Sequence, residues 1–336
     1  MTEQSECRDC GARVAAIDLG TVSSRLSLAT VEGDRVVSSC KHTEITDLGA
    51  GVDATGHLDD AAVERVLTAC RGFVEEIRAF DAACVCTTLT SAARDADNAA
   101  SLLDGLRSLG LDPQVIPGEL EARLTFYGVA RDFKGERIAV ADSGGGSTEI
   151  AVGALTAAGA VELEHVQSLN IGCRRVTDRF LPGDPPADAS ILHAGRWSRE
   201  QFEAYWDAFD ERPERLVAVG GTVTTLVALT HKLEPYDSSF VHLQTLSALE
   251  IEQAIGRMRA LSATEIARLP GIQPKRAPVM LAGAVVMREL MRTGGYDELT
   301  VSENSLLAGM ASTMGEVLAG KAPAIGWAPA LTHLHR

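Results

Sequence analysis

The chain has 336 residues, 46% of them hydrophobic and 23% charged, which is an ordinary globular composition with room for two domains. A net charge of −15 without any long basic run argues against a nucleic-acid arm, and no apolar run approaches the ~20 residues that span a bilayer. The acidic opening Met1-Thr2-Glu3-Gln4-Ser5-Glu6 is no secretory leader, so a cytoplasmic, membrane-free protein is expected. Among its seven cysteines, Cys70, Cys84 and Cys86 sit in apolar runs and read as core residues. Cys7-x-x-Cys10 lacks the second pair that a zinc ribbon needs and reads as a reduced terminal pair.

In chain order, residues 13–19 and 25–31 read as strands, and Gly33-Asp34 turns into a third at 35–40. Asp59 and Asp60 can cap a helix whose apolar face recurs at Val63, Val66, Leu67, Cys70, Phe73, Val74 and Ile77. A strand at 82–87 follows, then a helix carrying Leu102, Leu103, Leu106 and Leu109 that stops at Gly110. A short strand at 115–117 and a helix at 119–130 close the first half. The pattern restarts at Arg137 with a strand, a Gly-rich turn and a hairpin reaching 161–166. Pro182-Gly183-Asp184-Pro185-Pro186 is a loop. A helix at 198–209, a strand at 216–219 and a helix opened by Gly220-Gly221-Thr222 come next. Helices at 248–261 and 278–291, a strand at 299–301 and a helix at 303–317 complete the chain. One mixed unit occurs twice, which predicts an α/β fold with a cleft between two domains.

The repeat is sharpest in two turns. Asp18-Leu19-Gly20-Thr21-Val22-Ser23 and Asp142-Ser143-Gly144-Gly145-Gly146-Ser147 are both Asp-x-Gly-x-x-Ser between apolar strands. Glycine allows positive φ and close backbone approach, as a phosphate requires, and the hydroxyls of Thr21, Ser23, Ser24, Ser147 and Thr148 add donors. Asp18 and Asp142 would bind Mg2+ directly or through its waters. Glu149 opens a hydrophobic strand and is costly to bury without a partner, which favours a nearby cation. Gly220, Gly221 and Thr222 form a third turn of the same kind.

These turns resemble those of actin-like ATPases with duplicated, ribonuclease H-like domains. The closer likeness is to the exopolyphosphatase/guanosine pentaphosphate phosphatase (Ppx/GppA) family in its short two-domain form. Thr90-Ser91-Ala92-Ala93-Arg94-Asp95-Ala96-Asp97-Asn98 is similar to the family's Thr-Ser-Ala-x-Arg-x-Ala-x-Asn segment. Gly118-Glu119-Leu120-Glu121-Ala122-Arg123 and Asp142-Ser143-Gly144-Gly145-Gly146-Ser147-Thr148-Glu149 resemble two further motifs, and Gln273-Pro274-Lys275-Arg276 resembles a late one. The resemblance implies that Glu121 deprotonates an attacking water and that Asp142 and Glu149 help hold Mg2+. It also implies that Arg94, Arg276 and, more weakly, Arg25 face a phosphate chain. It further implies domains at 12–132 plus about 302–322 and at 133–301, tails at 1–11 and 323–336, and a homodimer.

The expected reaction is Mg2+-dependent hydrolysis of a terminal phosphoanhydride, in inorganic polyphosphate or in guanosine pentaphosphate. Three departures bear on substrate preference: Leu120 in place of a first Glu, Thr21-Val22-Ser23 in the first loop, and Ser302-Glu303 without the usual Arg-Glu. An actin-like small-molecule kinase and a non-catalytic guanosine polyphosphate sensor are the alternatives.

Overall fold

Residues 12–45 fold into three antiparallel strands, with sides alternating along each: β1 (Ala12–Leu19), β2 (Ser23–Glu32) and β3 (Arg35–Ile45). This computed structural model describes residues 11–334, so the Cys7/Cys10 pair lies outside the described residues. The helix Asp60–Phe80 begins at Asp59, whose side chain accepts from Ala62 N, and it buries Val66, Cys70, Phe73, Val74 and Ile77. It returns the chain to β4 (Cys84–Leu89), parallel to β1, and β5 (Pro113–Val115) completes the order β3-β2-β1-β4-β5.

The second sheet repeats this order. β6 (Arg137–Ser143), β7 (Thr148–Leu155) and β8 (Val161–Leu169) form the antiparallel part. β9 (Arg215–Val219), β10 (Thr245–Ser247) and β11 (Glu298–Val301) give the order β10-β11-β9-β6-β7-β8. Read from the other edge, β8-β7-β6-β9-β11 matches β3-β2-β1-β4-β5, and β10 is an added antiparallel edge. The α/β fold is therefore a duplicated one.

Two helices, Gly118–Val129 and Leu306–Leu318, lie between the sheets. Phe126, Tyr127, Leu306 and Met310 pack there with Val14 and Ala16 of β1 and Val140 and Ala151 of β6 and β7. The helices cross in backbone contact, since a Cβ on Gly309 would fall 1.9 Å from Leu124 O. The last helix thus packs on β1 and the helix Gly118–Val129, far from its sequence neighbours.

Several boundaries differ from expectation. The helix expected at 198–209 spans Asp188–Trp206, because the small residues Ala194, Gly195 and Ser198 let it pack closely on Ala277–Gly294. The helix Cys173–Phe180 was not foreseen. Part of the segment expected as a tail is docked: Thr332 and Val85 exchange two backbone hydrogen bonds of 2.8 Å. Among the described residues no helix is long and apolar enough to cross a membrane.

Candidate active site

Both Asp-x-Gly-x-x-Ser segments form the same turn. Gly20 N donates to Ser23 O and Gly144 N to Ser147 O, each at 3.0 Å. Those two N–H groups are therefore spent within their own hairpins. The expected positive φ is absent from Gly20, Gly144, Gly145 and Gly146, and is found at Gly220 (φ 97°). Glycine serves close approach in the second loop instead. A Cβ on Gly145 would lie 2.6 Å from Val22 Cγ2, and one on Gly146 would lie 2.4 Å from Ser91 Oγ. The loops of the two halves are pressed together.

The turns fix the register of the residues beyond them. Asp18 faces Arg25 across β1 and β2, and Asp142 faces Glu149 across β6 and β7. The first hairpin pairs acid with base: Arg25 Nη2 and Nε lie 2.5 and 2.9 Å from Asp18 Oδ2. Burial works against a charged Arg25, but Asp18 and Asp142 outweigh it and hold the guanidinium firmly protonated. Asp18 Oδ1 is buried and has no hydrogen-bond partner. The second hairpin pairs acid with acid. Burial first, then Asp142, pushes the Glu149 carboxyl up to about 7, although Ser168 Oγ donates to it at 2.7 Å. Burial also raises Asp142, against the pull of Arg25.

Glu121 enters from the first turn of the helix between the sheets and is buried. Burial and Glu149 raise its carboxyl well above the usual range, and Arg94 opposes them. Arg94 Nη1 donates to Glu121 Oε2 at 2.8 Å and to Ile116 O at 3.0 Å, while Nη2 lies 3.6 Å from Glu149 Oε1. Arg94, expected to face a phosphate chain, is instead turned onto these two acids. When ionised, Asp18, Glu121, Asp142 and Glu149 carry four negative charges against two positive ones on Arg25 and Arg94. Acids facing each other at about 5 Å repel by about 3 kcal/mol at an effective dielectric near 20, a large share of a typical folding stability.

That imbalance and the orphaned Asp18 Oδ1 fit a divalent cation. Among the described residues, no group of three or more His, Cys, Asp or Glu side chains is arranged to hold a metal. A Mg2+ ion that kept most of its waters would need only one or two carboxylates, so Asp142 and Glu149 would hold it directly and Asp18 through a water.

Strand alternation sorts the other expected residues. Ser23 and Arg25 share one face of β2 and line the cleft, whereas Ser24 lies on the opposite face with Leu26. Ser24 Oγ is buried against Thr46 Oγ1 at 2.9 Å. Thr148 is likewise turned to the outer core with Ile150 and donates to Ile171 O at 2.6 Å. Thr222 is buried beside Gly283 and Cys173. The hydroxyls of Ser24, Thr148 and Thr222 therefore do not point to a phosphate, which corrects the expectation for them. Thr21 Oγ1 lies against Gly146, and Ser147 Oγ is 3.4 Å from Arg94 Nη2.

A cleft of about 920 Å³ opens between the halves, lined by Ser23, Arg25, Gly220, Gly221, Tyr236 and Arg276, among others. Gly220 abuts the acid cluster, since a Cβ there would lie 3.0 Å from Asp142 Oδ1. Arg276 lies flat on Gly221, where a Cβ would meet its Nη1 at 2.0 Å. Burial lowers the pKa of Arg276; its titratable neighbours are Arg25, Cys173 and Tyr236, with no carboxylate among them. Among the described residues no carboxylate pairs with this buried guanidinium at the cleft wall, and a guanidinium left so has its charge and donors uncompensated. Another hollow of about 710 Å³, lined by Arg196, Arg199, Arg288 and Glu289, contains none of the loop residues.

Sequence reasoning missed the contacts that hold the loops together. Arg174 Nη2 and Nε lie 2.6 and 2.9 Å from the Asp47 carboxylate across the junction. Arg175 donates to Gly146 O at 2.7 Å and pairs with Asp53 and Asp95. Arg179 Nη2 reaches Asp53 Oδ1 at 2.7 Å. The Arg174-Arg175 doublet was the only signal in the sequence, and its partners lie more than a hundred residues away for Asp47 and Asp53.

The duplicated sheets and facing loops define the actin-like class of two-domain proteins. Residues 31–315 match the Ppx/GppA phosphatase family. The chain is 35% identical over 320 residues to exopolyphosphatase 2 of Mycobacterium tuberculosis, which covers 90% of this chain and 98% of that one. The Ppx/GppA family member of Aquifex aeolicus superposes with a TM-score of 0.74 at 30% identity, over 92% of this chain and 99% of that one. An exopolyphosphatase from Cytophaga hutchinsonii gives 0.80 at 25% identity, over 91% and 98%. The chain belongs to the Ppx/GppA phosphatase family, and it is a hydrolase.

Proposed function

We propose that this protein is a Mg2+-dependent exopolyphosphatase that removes the terminal phosphate of inorganic polyphosphate. The observation that carries this reading is the buried Arg276 beside Arg25 at the cleft wall, without a carboxylate partner among the described residues and next to a cluster with excess carboxylates. The cations suit the body of a polyanion, and the acids suit a metal and a water. The similarity to exopolyphosphatases of Mycobacterium tuberculosis and Cytophaga hutchinsonii supports the same reading.

Bound Mg2+ would supply positive charge where the phosphoryl oxygens gain negative charge. Arg276 and Arg25 hold the chain behind the scissile phosphate, and Gly220 and Gly221 keep the wall free of side chains. Glu121 takes the proton of a water whose oxygen attacks the terminal phosphorus. The bridging P–O bond breaks and the shortened chain leaves with that oxygen and its electron pair. Arg94 fixes the Glu121 carboxylate and favours its ionised form, which a base needs.

Guanosine pentaphosphate is the second reading. Leu233, Pro235, Tyr236, Ile272 and Gln273 also line the cleft and offer a surface for a nucleoside. The test is phosphate release with saturating Mg2+ from short polyphosphate, long polyphosphate and guanosine pentaphosphate side by side. Release from polyphosphate is expected. Release from the nucleotide alone would replace the first reading with the second, and release from none would overturn both.

A further inference from the structure

The cleft is lined in part by a group of side chains that the reaction does not use. Lys41 comes from β3 in the first half, Tyr236 from a loop of the second, and Glu303 from the link between β11 and the last helix. Lys41 Nζ donates to Glu303 O and lies 3.4 Å from Glu303 Oε2. The Tyr236 hydroxyl donates to Glu303 Oε1, and Glu303 N donates to His242 Nδ1 at 3.3 Å. The Glu303 side chain is 19% exposed and that of Lys41 28%, so the pair is not a freely solvated surface contact.

Lys41 continues a row of cations. Arg25 sits opposite Thr43 in the β2–β3 register, and Lys41 lies two residues along β3 on the same face. Such diagonal neighbours are about 7–8 Å apart. Arg25 is close enough to Arg276 on one side and to Lys41 on the other for its charge to be felt by both. Arg25, paired with Asp18 at the acid cluster, is the middle member of the row Arg276, Arg25, Lys41. Among the described residues Arg276 has no carboxylate partner, and Lys41 is capped by Glu303.

We propose that Glu303 limits the length of chain that the cleft accepts, its carboxylate occupying the place beside Lys41 and Tyr236 where a further phosphate would bind. This inference rests on the reading of the cleft as a polyphosphate site. A short chain ends before Glu303 and does not meet its charge. A longer one must displace a carboxylate that is already hydrogen-bonded, and it meets like charge until that happens.

The test is calorimetric binding of tripolyphosphate and of long-chain polyphosphate to wild type, Glu303→Gln and the double variant Lys41→Met/Glu303→Gln. Glu303→Gln is expected to raise the long-to-short affinity ratio at least about tenfold, equivalent to about 1.4 kcal/mol. The double variant should return it to within about twofold of wild type, since the uncovered cation is gone. Tyr236→Phe, which removes one donor to Glu303, should move the ratio in the same direction by less and serves if Glu303→Gln melts early. An unchanged or lowered ratio in Glu303→Gln, or a raised ratio that survives loss of Lys41, overturns the proposal. Lack of phosphate release by wild type would overturn the hydrolase reading alone, because the binding ratio is read without turnover.

Discussion

The two Asp-x-Gly-x-x-Ser hairpins share a turn, a hydrogen bond of 3.0 Å and a strand register, and among their sequence differences one changes the charge. Opposite Asp18 stands Arg25, and opposite Asp142 stands Glu149. The first hairpin balances its charge internally and presents a cation to the cleft. The second cannot, and its acids are left to share protons or attract a metal. Duplication supplied the geometry twice, and a single charge reversal separates the halves: on the proposed reading one would grip an anion and the other would hold a cation. Glu121 sits between them on a helix that belongs to neither sheet.

The largest expected effect is at that helix. Glu121→Gln keeps the shape and removes the base, so phosphate release in single-turnover experiments should fall about 10²–10⁴-fold while polyphosphate binding holds. A loss confined to binding would instead make Glu121 a structural acid.

Breaking either side of the comparison should give opposite signatures. Arg276→Met should raise KM about tenfold or more, as loss of a charged hydrogen bond implies, with a smaller effect on kcat. Glu149→Gln should raise the Mg2+ concentration needed for half-maximal rate at least about tenfold. If both variants change KM alone, the division between the hairpins is wrong.

The pH dependence of stability sharpens it further. Glu149 titrates near 7 in the folded chain and has an ordinary value of 4.5, so the folded state holds the proton more tightly. Its contribution favours the fold at low pH and is lost as pH rises from about 4.5 through about 7. In metal-free buffer Glu149→Gln should therefore gain in Tm relative to wild type between pH 5 and pH 8. A constant difference across that window would remove the buried acid pair.

The smallest effect is expected where alternation turned hydroxyls away from the cleft. Ser24→Ala should leave Thr46 unpaired and cost about 1–3 kcal/mol in denaturant unfolding, with phosphate release changed less than about twofold.

Much of this was legible because it is local. A two-residue period, a turn glycine and an apolar run fix a hairpin within a dozen residues, so both loops and the Asp142/Glu149 pair could be read from the chain. The same period places Ser24 with Leu26 and Thr148 with Ile150 on the core face, and would have separated them from Ser23, Arg25 and Glu149 had it been applied. Arg94 could not be read correctly, because its orientation depends on Glu121, twenty-seven residues away, and on a strand of the other half. The helix Cys173–Phe180 was illegible for a similar reason. Arg174, Arg175 and Arg179 give it a polar composition, and the acids that hold it lie on the opposite half.

The most direct test of the account is the Mg2+-induced change in Tm of wild type and Glu149→Gln at pH 8 and at pH 5.5. Wild type should be stabilised by Mg2+ at pH 8, much less at pH 5.5, and the variant should lose most of the pH 8 effect. An equal Mg2+ response in both proteins at both pH values would contradict the claim that the acid pair of the second hairpin holds Mg2+.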